Sequence, residues 1–267
     1  MGKYNLRLVL SYRCNYCCVF CSHDFNRCRN RDISTDFIEE CVKVFASLGG
    51  EKVAYTGGEP LIFPRLLEIM RLSKYLGLKN AITTNGSMLT FQPDEFYFLA
   101  DSLNISVPSF VQEEYTRLTS SKYRLGDIIR NAVKAAGRGL RVKINTVYTG
   151  QSPETIRRMA AALWPRGIII KLMNNMTADE EYYREFLRFA EKFRDDKRIE
   201  IESEKNPGLT MCHDCRTSHP NGCPSCKSIW IYPDGRITLC PFDDTGSFID
   251  SGHDNILKCI QDLMNRR

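Results

Sequence analysis

Leu6-Arg7-Leu8-Val9-Leu10-Ser11-Tyr12-Arg13-Cys14-Asn15-Tyr16-Cys17-Cys18-Val19-Phe20-Cys21 decides the reading of this chain. It joins an apolar, strand-like run to a loop in which Cys14, Cys18 and Cys21 stand as C-x3-C-x2-C. Three thiolates hold three irons of a four-iron, four-sulfur cluster and leave the fourth iron open to another ligand. A purely electron-carrying or structural cluster normally takes four thiolates. The loop therefore reads as a site for chemistry rather than a staple. Cys17 permits a second register, Cys14/Cys17 and Cys18/Cys21, which suits a zinc or iron knuckle. Adjacent Cys17 and Cys18 are hard to aim at one metal, which disfavours it. A disulfide framework fits worse, because only 12 of 267 residues are Cys and the chain is long.

Thr56-Gly57-Gly58-Glu59-Pro60 follows a second strand-like run, and Ile82-Thr83-Thr84-Asn85-Gly86 closes a third. In this order the three motifs resemble the radical S-adenosylmethionine (SAM) superfamily, over roughly residues 5–175. The resemblance implies a cluster on Cys14, Cys18 and Cys21 whose open iron chelates the amine and carboxylate of SAM. One electron then cleaves the sulfonium, and the 5′-deoxyadenosyl radical takes a hydrogen atom from substrate. It also implies that the bare backbone of Gly57 and Gly58, with Glu59, serves the methionine end of SAM. Thr84, Asn85 and Ser106 match positions near the ribose, and Asn145 a position near the nucleoside.

Bulk properties bound the rest. Hydrophobic content of 43% and charged content of 26% are those of a globular protein able to bury a full core. No run of about 18 apolar residues suggests a membrane span, and Met1-Gly2-Lys3-Tyr4 leads into a strand without a signal-peptide pattern. A cytoplasmic location follows, where thiols stay reduced. The net charge of +5 is spread without a basic run, so nucleic acid is not expected.

Strand-like runs near 5–11, 52–56, 79–84, 103–107, 141–148 and 167–173 alternate with helical patterns near 34–48, 64–77, 93–100, 125–138, 153–164 and 179–194. Six βα units give a parallel sheet with right-handed crossovers, short of a closed eight-fold barrel. The expected fold is α/β, a six-stranded (β/α)6 partial TIM barrel over residues 1–206, with a small cysteine-rich extension over 207–267. All three motifs follow strand ends, where ligands of such folds sit.

The extension carries Cys223-x2-Cys226-x13-Cys240, with Tyr232-Pro233-Asp234-Gly235 as a turn between two short strands. It resembles the Twitch and SPASM extensions of the superfamily, which bind auxiliary four-iron clusters. The spacing is similar to that of the cyclic pyranopterin synthase branch. Cys212 and Cys215 are candidates for a fourth ligand; with Cys223 and Cys226 they also fit a zinc ribbon. Cys41 and Cys259 read as core, Cys17 as filler, and Cys28 as a loop thiol or a hydrogen-atom donor.

Two departures narrow the chemistry. Ser106-Val107-Pro108-Ser109 lacks the aspartate of the pyranopterin branch, and the chain ends Asn265-Arg266-Arg267 where that branch has Gly-Gly. GTP rearrangement is therefore not the expected reaction. There is no N-terminal domain for a leader peptide, and the compact size resembles the aminocyclitol dehydrogenase branch. The leading expectation is oxidation or another radical conversion of a small metabolite in a specialised pathway, with a flavodoxin or ferredoxin as reductant. Maturation of a ribosomally made peptide is the runner-up, and a non-catalytic zinc or iron–sulfur module the third reading. Tyr12, His23, Asp24, Arg27 and Lys171 are candidates to face substrate.

Overall fold

The computed structural model describes residues 4–21, 32–175, 180–201, 228–239, 246–249 and 252–265. Strands β1 (Asn5–Val9), β2 (Lys52–Thr56), β3 (Lys79–Thr84), β4 (Ser102–Ser106), β5 (Arg141–Val147) and β6 (Ile169–Met173) match the six expected ones. Helices α1 (Thr35–Ser47), α2 (Leu66–Tyr75), α3 (Asp94–Leu99), α5 (Leu125–Gly137), α6 (Pro153–Leu163) and α7 (Glu180–Glu191) follow them. Helix α4 (Gln112–Thr119), which the sequence did not suggest, lies in the connection after β4.

All neighbouring strands from β1 to β6 pair in parallel, in chain order, and a short β7 (Ile199–Ile201) adds a seventh. The expected turn at Tyr232–Gly235 joins β8 (Ser228–Ile231) to β9 (Arg236–Thr238), with the Gly235 N–H donating to the Tyr232 carbonyl at 3.0 Å. This hairpin is not a separate sheet. Strand β8 pairs in parallel with β1, so the sheet runs β10-β9-β8-β1-β2-β3-β4-β5-β6-β7, where β10 is Ser247–Phe248. The pairing satisfies backbone groups that β1 would otherwise leave at an open edge. The last helix, α8 (His253–Asn265), packs on α1.

The two faces of the sheet differ. Leu6, Leu8, Val53, Tyr55, Leu103, Ile105, Val142, Ile144, Ile170 and Leu172 point toward the helices and build the main core. The period-2 alternation of a strand sends their neighbours to the other face. Cys41 is buried in that core and Cys259 packs against it, as expected. Phe186 and Ala190 bury one face of α7 as the helical spacing predicts, and Phe193, just past its end, is buried too.

No helix among the described residues is long and apolar enough to cross a membrane.

Candidate active site at the cysteine loop

The cysteine loop leaves the carboxyl end of β1 and is tied down along its length. Tyr16 is buried, its hydroxyl 2.9 Å from that of Tyr115 and its ring stacked on Tyr123 at 5.7 Å. The N–H groups of Cys17 and Val19 donate to the Thr119 and Leu118 carbonyls at 3.2 and 3.0 Å. Helix α4 is therefore the shelf on which the loop rests. Arg13 pairs with Asp32 through a two-pronged contact.

Cys14, Cys18 and Cys21 are half-buried free thiols, whereas Cys17 is exposed. Burial pushes the Cys14 thiol up to about 11 and the Cys18 thiol up to about 12, and the neighbouring cysteines add to both shifts. Such thiols ionise readily only beside a cation, so the donor set suits iron. Among the described residues no three His, Cys, Asp or Glu side chains are placed to hold a single metal ion. A four-iron cluster does not ask for that, because each thiolate binds its own iron.

Gly57 and Gly58 stand against this loop. The Gly58 N–H donates to the Ser11 carbonyl at 2.7 Å and the Glu59 N–H to the Arg13 carbonyl at 2.9 Å. A Cβ on Gly57 would collide with the Ser11 carbonyl, and one on Gly58 with that of Arg13. Gly57 also holds φ at +132°, which favours glycine. The bare face of the glycines is thus filled by the cysteine loop itself.

Glu59 is 1% exposed, and both its oxygens are taken. One accepts from the Thr84 hydroxyl at 2.6 Å and the Leu61 N–H at 3.0 Å; the other accepts from the Asn85 N–H at 2.7 Å. Asn85 then donates to Asn15 at 2.8 Å, and Asn15 donates to Ser87 at 2.8 Å. The two Ser87 donors close the network on the Asn85 carbonyl oxygen at 3.0 and 2.6 Å. Glu59 therefore pins the second motif to the third, and Asn85 pins the third to the cysteine loop. The Thr84 hydroxyl is held in the same network and accepts from the Gly86 N–H at 2.9 Å.

Desolvation raises the Glu59 carboxyl from 4.5 to about 7 despite these three donors. A pKa raised on folding stabilises the fold below the unfolded value and is lost as pH rises through the folded one. At about 1.4 kcal/mol per unit the change is about 3 kcal/mol. The apoprotein is expected to lose that much unfolding free energy, from Glu59, between pH 4.5 and 7. Glu59→Gln cannot titrate and should show this component missing. Denaturant unfolding of both proteins across about pH 5 to 8 checks it; parallel pH curves would contradict it.

Ser106 and Asn145 sit opposite each other on β4 and β5, on the face of the sheet away from the helices. The Asn145 Oδ1 is shielded from solvent and meets no donor among the described residues. An orphaned acceptor at a strand's carboxyl end fits a site that completes itself with a ligand. Cys223, Cys226, Cys240, Cys212, Cys215, Cys28, His23, Asp24 and Arg27 lie outside the described residues.

Lys171, a candidate to face substrate, lies on the same face, together with basic residues that the sequence reading did not single out. Register places Arg7, Lys52, Lys79, Arg141, Lys143 and Lys171 on it, against one acid, Glu200, within the seven parallel strands. Lys143 is 2.5 Å from Glu200. Burial holds the Lys52 ammonium below its usual value; Arg7 on β1, with Arg141 and Lys143 on β5, pushes it the same way, and Glu51 opposes them. Strands β2 and β5 are not neighbours in the sheet, so these charges meet across a curved interior. The signal was legible: Arg7 lies between Leu6 and Leu8, Lys143 between Val142 and Ile144, and Lys171 between Ile170 and Leu172. A cation inside an apolar strand points at whatever the other face holds.

A curved, mostly parallel sheet with a three-thiol loop at the carboxyl end of its first strand defines a partial-barrel α/β protein. Residues 8–163 match the radical SAM superfamily, and the chain belongs to it. The GTP 3′,8-cyclase of Aquifex aeolicus is 30% identical over 90% of this chain and 82% of its own length. Molybdenum cofactor biosynthesis protein 1 of Dictyostelium discoideum is 28% identical over 90% of this chain and 42% of its own. Among solved structures, Streptococcus suis SuiB bound to its precursor peptide SuiA superposes with a TM-score of 0.74 at 17% identity. That match covers 98% of this chain and 64% of SuiB. Native anSMEcpe with bound AdoMet gives 0.65 at 16%, over 98% of this chain and 80% of its own. At these identities the structures speak for the fold.

Proposed function

We propose that this radical SAM enzyme converts a small anionic metabolite inside the partial barrel, by oxidation or another radical rearrangement in a specialised pathway. The observation that carries the reading is the basic interior. Six cations line the inner face of the parallel strands; Lys143 pairs with Glu200 and Lys79 with Glu51, which also lies near Lys52, yet Arg7, Arg141 and Lys143 still leave Lys52 in a net basic surrounding. Like charges gathered in a part-buried space destabilise the empty site, and an anion relieves the repulsion.

The cysteine loop would hold the catalytic cluster through Cys14, Cys18 and Cys21. When bound, that cluster supplies one-electron cleavage of SAM. The chain's own part is to fix the loop on α4, to lock Gly58 against it, and to present the Asn145 acceptor at the mouth. Ser106 faces the same side, beside Asn145.

A second four-iron cluster on Cys223, Cys226 and Cys240, with Cys212 or Cys215 as a further ligand, belongs to the same proposal, as does the division into 1–206 and 207–267. Ser228 and Leu239, the described residues nearest to Cys226 and Cys240 in the chain, flank β8 and β9 at the Asn5 end of the sheet. The reductant is proposed to be a flavodoxin or ferredoxin in a reducing cytoplasm.

Anaerobic assays of 5′-deoxyadenosine formation test the function. The reconstituted protein should respond at least tenfold to a phosphorylated or carboxylated small molecule, GTP being one compound in the panel. Lys52→Ala should remove most of the response. Stimulation by peptides alone would overturn the reading.

A further inference from the structure

We infer that Trp230 is a specificity-determining wall of the interior, and that it selects a ring compound bearing a phosphate or carboxylate. The ring lies against the aromatic face of β8, and the anion sits among Arg7 and Lys52. This rests on the anionic-substrate reading and narrows it.

The placement follows from register. Trp230 stands opposite Arg7 in the β1–β8 ladder, on the face away from the main core. The Arg7 guanidinium lies over its ring, 5.0 Å from the centroid, and donates through Nε to Ser228 at 3.3 Å. The Tyr232 ring follows at 6.4 Å, tilted only 18° from the indole. Val9, Tyr12 and Tyr232 form a buried apolar cluster separate from the main core, and Trp230, itself only partly buried, packs at its side.

An aromatic cluster on this face is not needed to cover the helices, because Ile229 and Ile231 already do so from the same strand. It stands instead in the space lined by the cations. An indole beside a fixed guanidinium offers one ligand two contacts at once, a flat apolar face and a charge. The order along β1 sets the direction. Arg7 comes first, then Val9, then Tyr12 and the cysteine loop, so a ligand anchored at Arg7 extends its ring toward Cys14. From Arg7 to Ser11 is four strand residues, about 13 Å. Sugars, cyclitols and aromatic rings all stack on indole, so the class is defined by ring plus anion.

The test uses anaerobically reconstituted full-length protein and four probes: glucose 6-phosphate, phenyl phosphate, glycerol 3-phosphate and inorganic phosphate. Calorimetry gives the affinities. Trp164 is the only other tryptophan, so a Trp164→Phe background makes the fluorescence report on Trp230. The two ring phosphates are expected to bind at least tenfold more tightly than the two ringless ones and to perturb Trp230 emission. Trp230→Ala should bring all four within about twofold of one another, while Trp230→Phe retains most of the preference. Lys52→Ala should weaken all four. Equal binding of ring and ringless phosphates, still sensitive to Lys52→Ala, would overturn the Trp230 inference and leave the anionic reading standing. Binding of no phosphate, or binding indifferent to Lys52→Ala, would overturn both.

Discussion

Gly58→Ala is expected to cost the protein most of its SAM cleavage while leaving the barrel folded. The added Cβ would land on the Arg13 carbonyl, with the Arg13 carbonyl carbon and the Tyr12 carbonyl behind it. All of these are backbone atoms, so no side chain can swing aside. Either the Gly57–Glu59 segment or the cysteine loop must move. Overpacking of this kind costs about 1–3 kcal/mol. The loss falls on the mouth because the Glu59 N–H to Arg13 bond at 2.9 Å lies beside the collision. A shift of Arg13 carries Cys14 with it, and placement errors of about 1 Å can cost about a hundredfold in rate. Iron content, melting temperature and 5′-deoxyadenosine formation should separate the effects. We expect a melting point a few degrees lower, iron partly retained, and cleavage down at least tenfold. Full activity would show that the contact between the two loops is dispensable.

The fold was legible because strand patterns and helical spacings agreed from Asn5 to Met173. The motifs were legible because each closes a strand. The surroundings of Glu59 were not legible, for a physical reason. Sequence gives its place in the chain but not its burial, and only the structure shows three donors closing on it. The same holds for Gly57 and Gly58, whose missing side chains admit the chain's own backbone. Strand β7 is only three residues long, and α4 begins after a proline-containing turn, so neither carried enough pattern to stand out. The β8–β9 hairpin was found through its turn. Its partner β1 was not, because a parallel pairing across more than 200 residues leaves no local mark. The basic interior was read only at Lys171, because a single cation in a strand rich in Val, Ile and Leu does not show which other strands share its face. Register places Arg7 and Lys143 on that face with it.

Replacing Cys14, Cys18 and Cys21 together by alanine is expected to have the largest effect of all. The three are the proposed cluster ligands of the loop, and the loop's other contacts run through backbone and through Arg13, Tyr16 and Asn15. Those contacts survive the substitution, so the variant should keep its fold. Burial disfavours charge at Cys14 and Cys18, so the apoprotein gives up little when the thiols are removed. What disappears is the iron.

Iron and acid-labile sulfide per chain, measured beside SAM cleavage on anaerobically reconstituted wild type and on this triple variant, test the central claim most directly. The account predicts about four irons fewer in the variant and no 5′-deoxyadenosine. About eight irons in the wild type would also support the second cluster. Cleavage surviving in the variant, or a wild type that takes up no iron, would contradict the assignment of the chemistry to this loop.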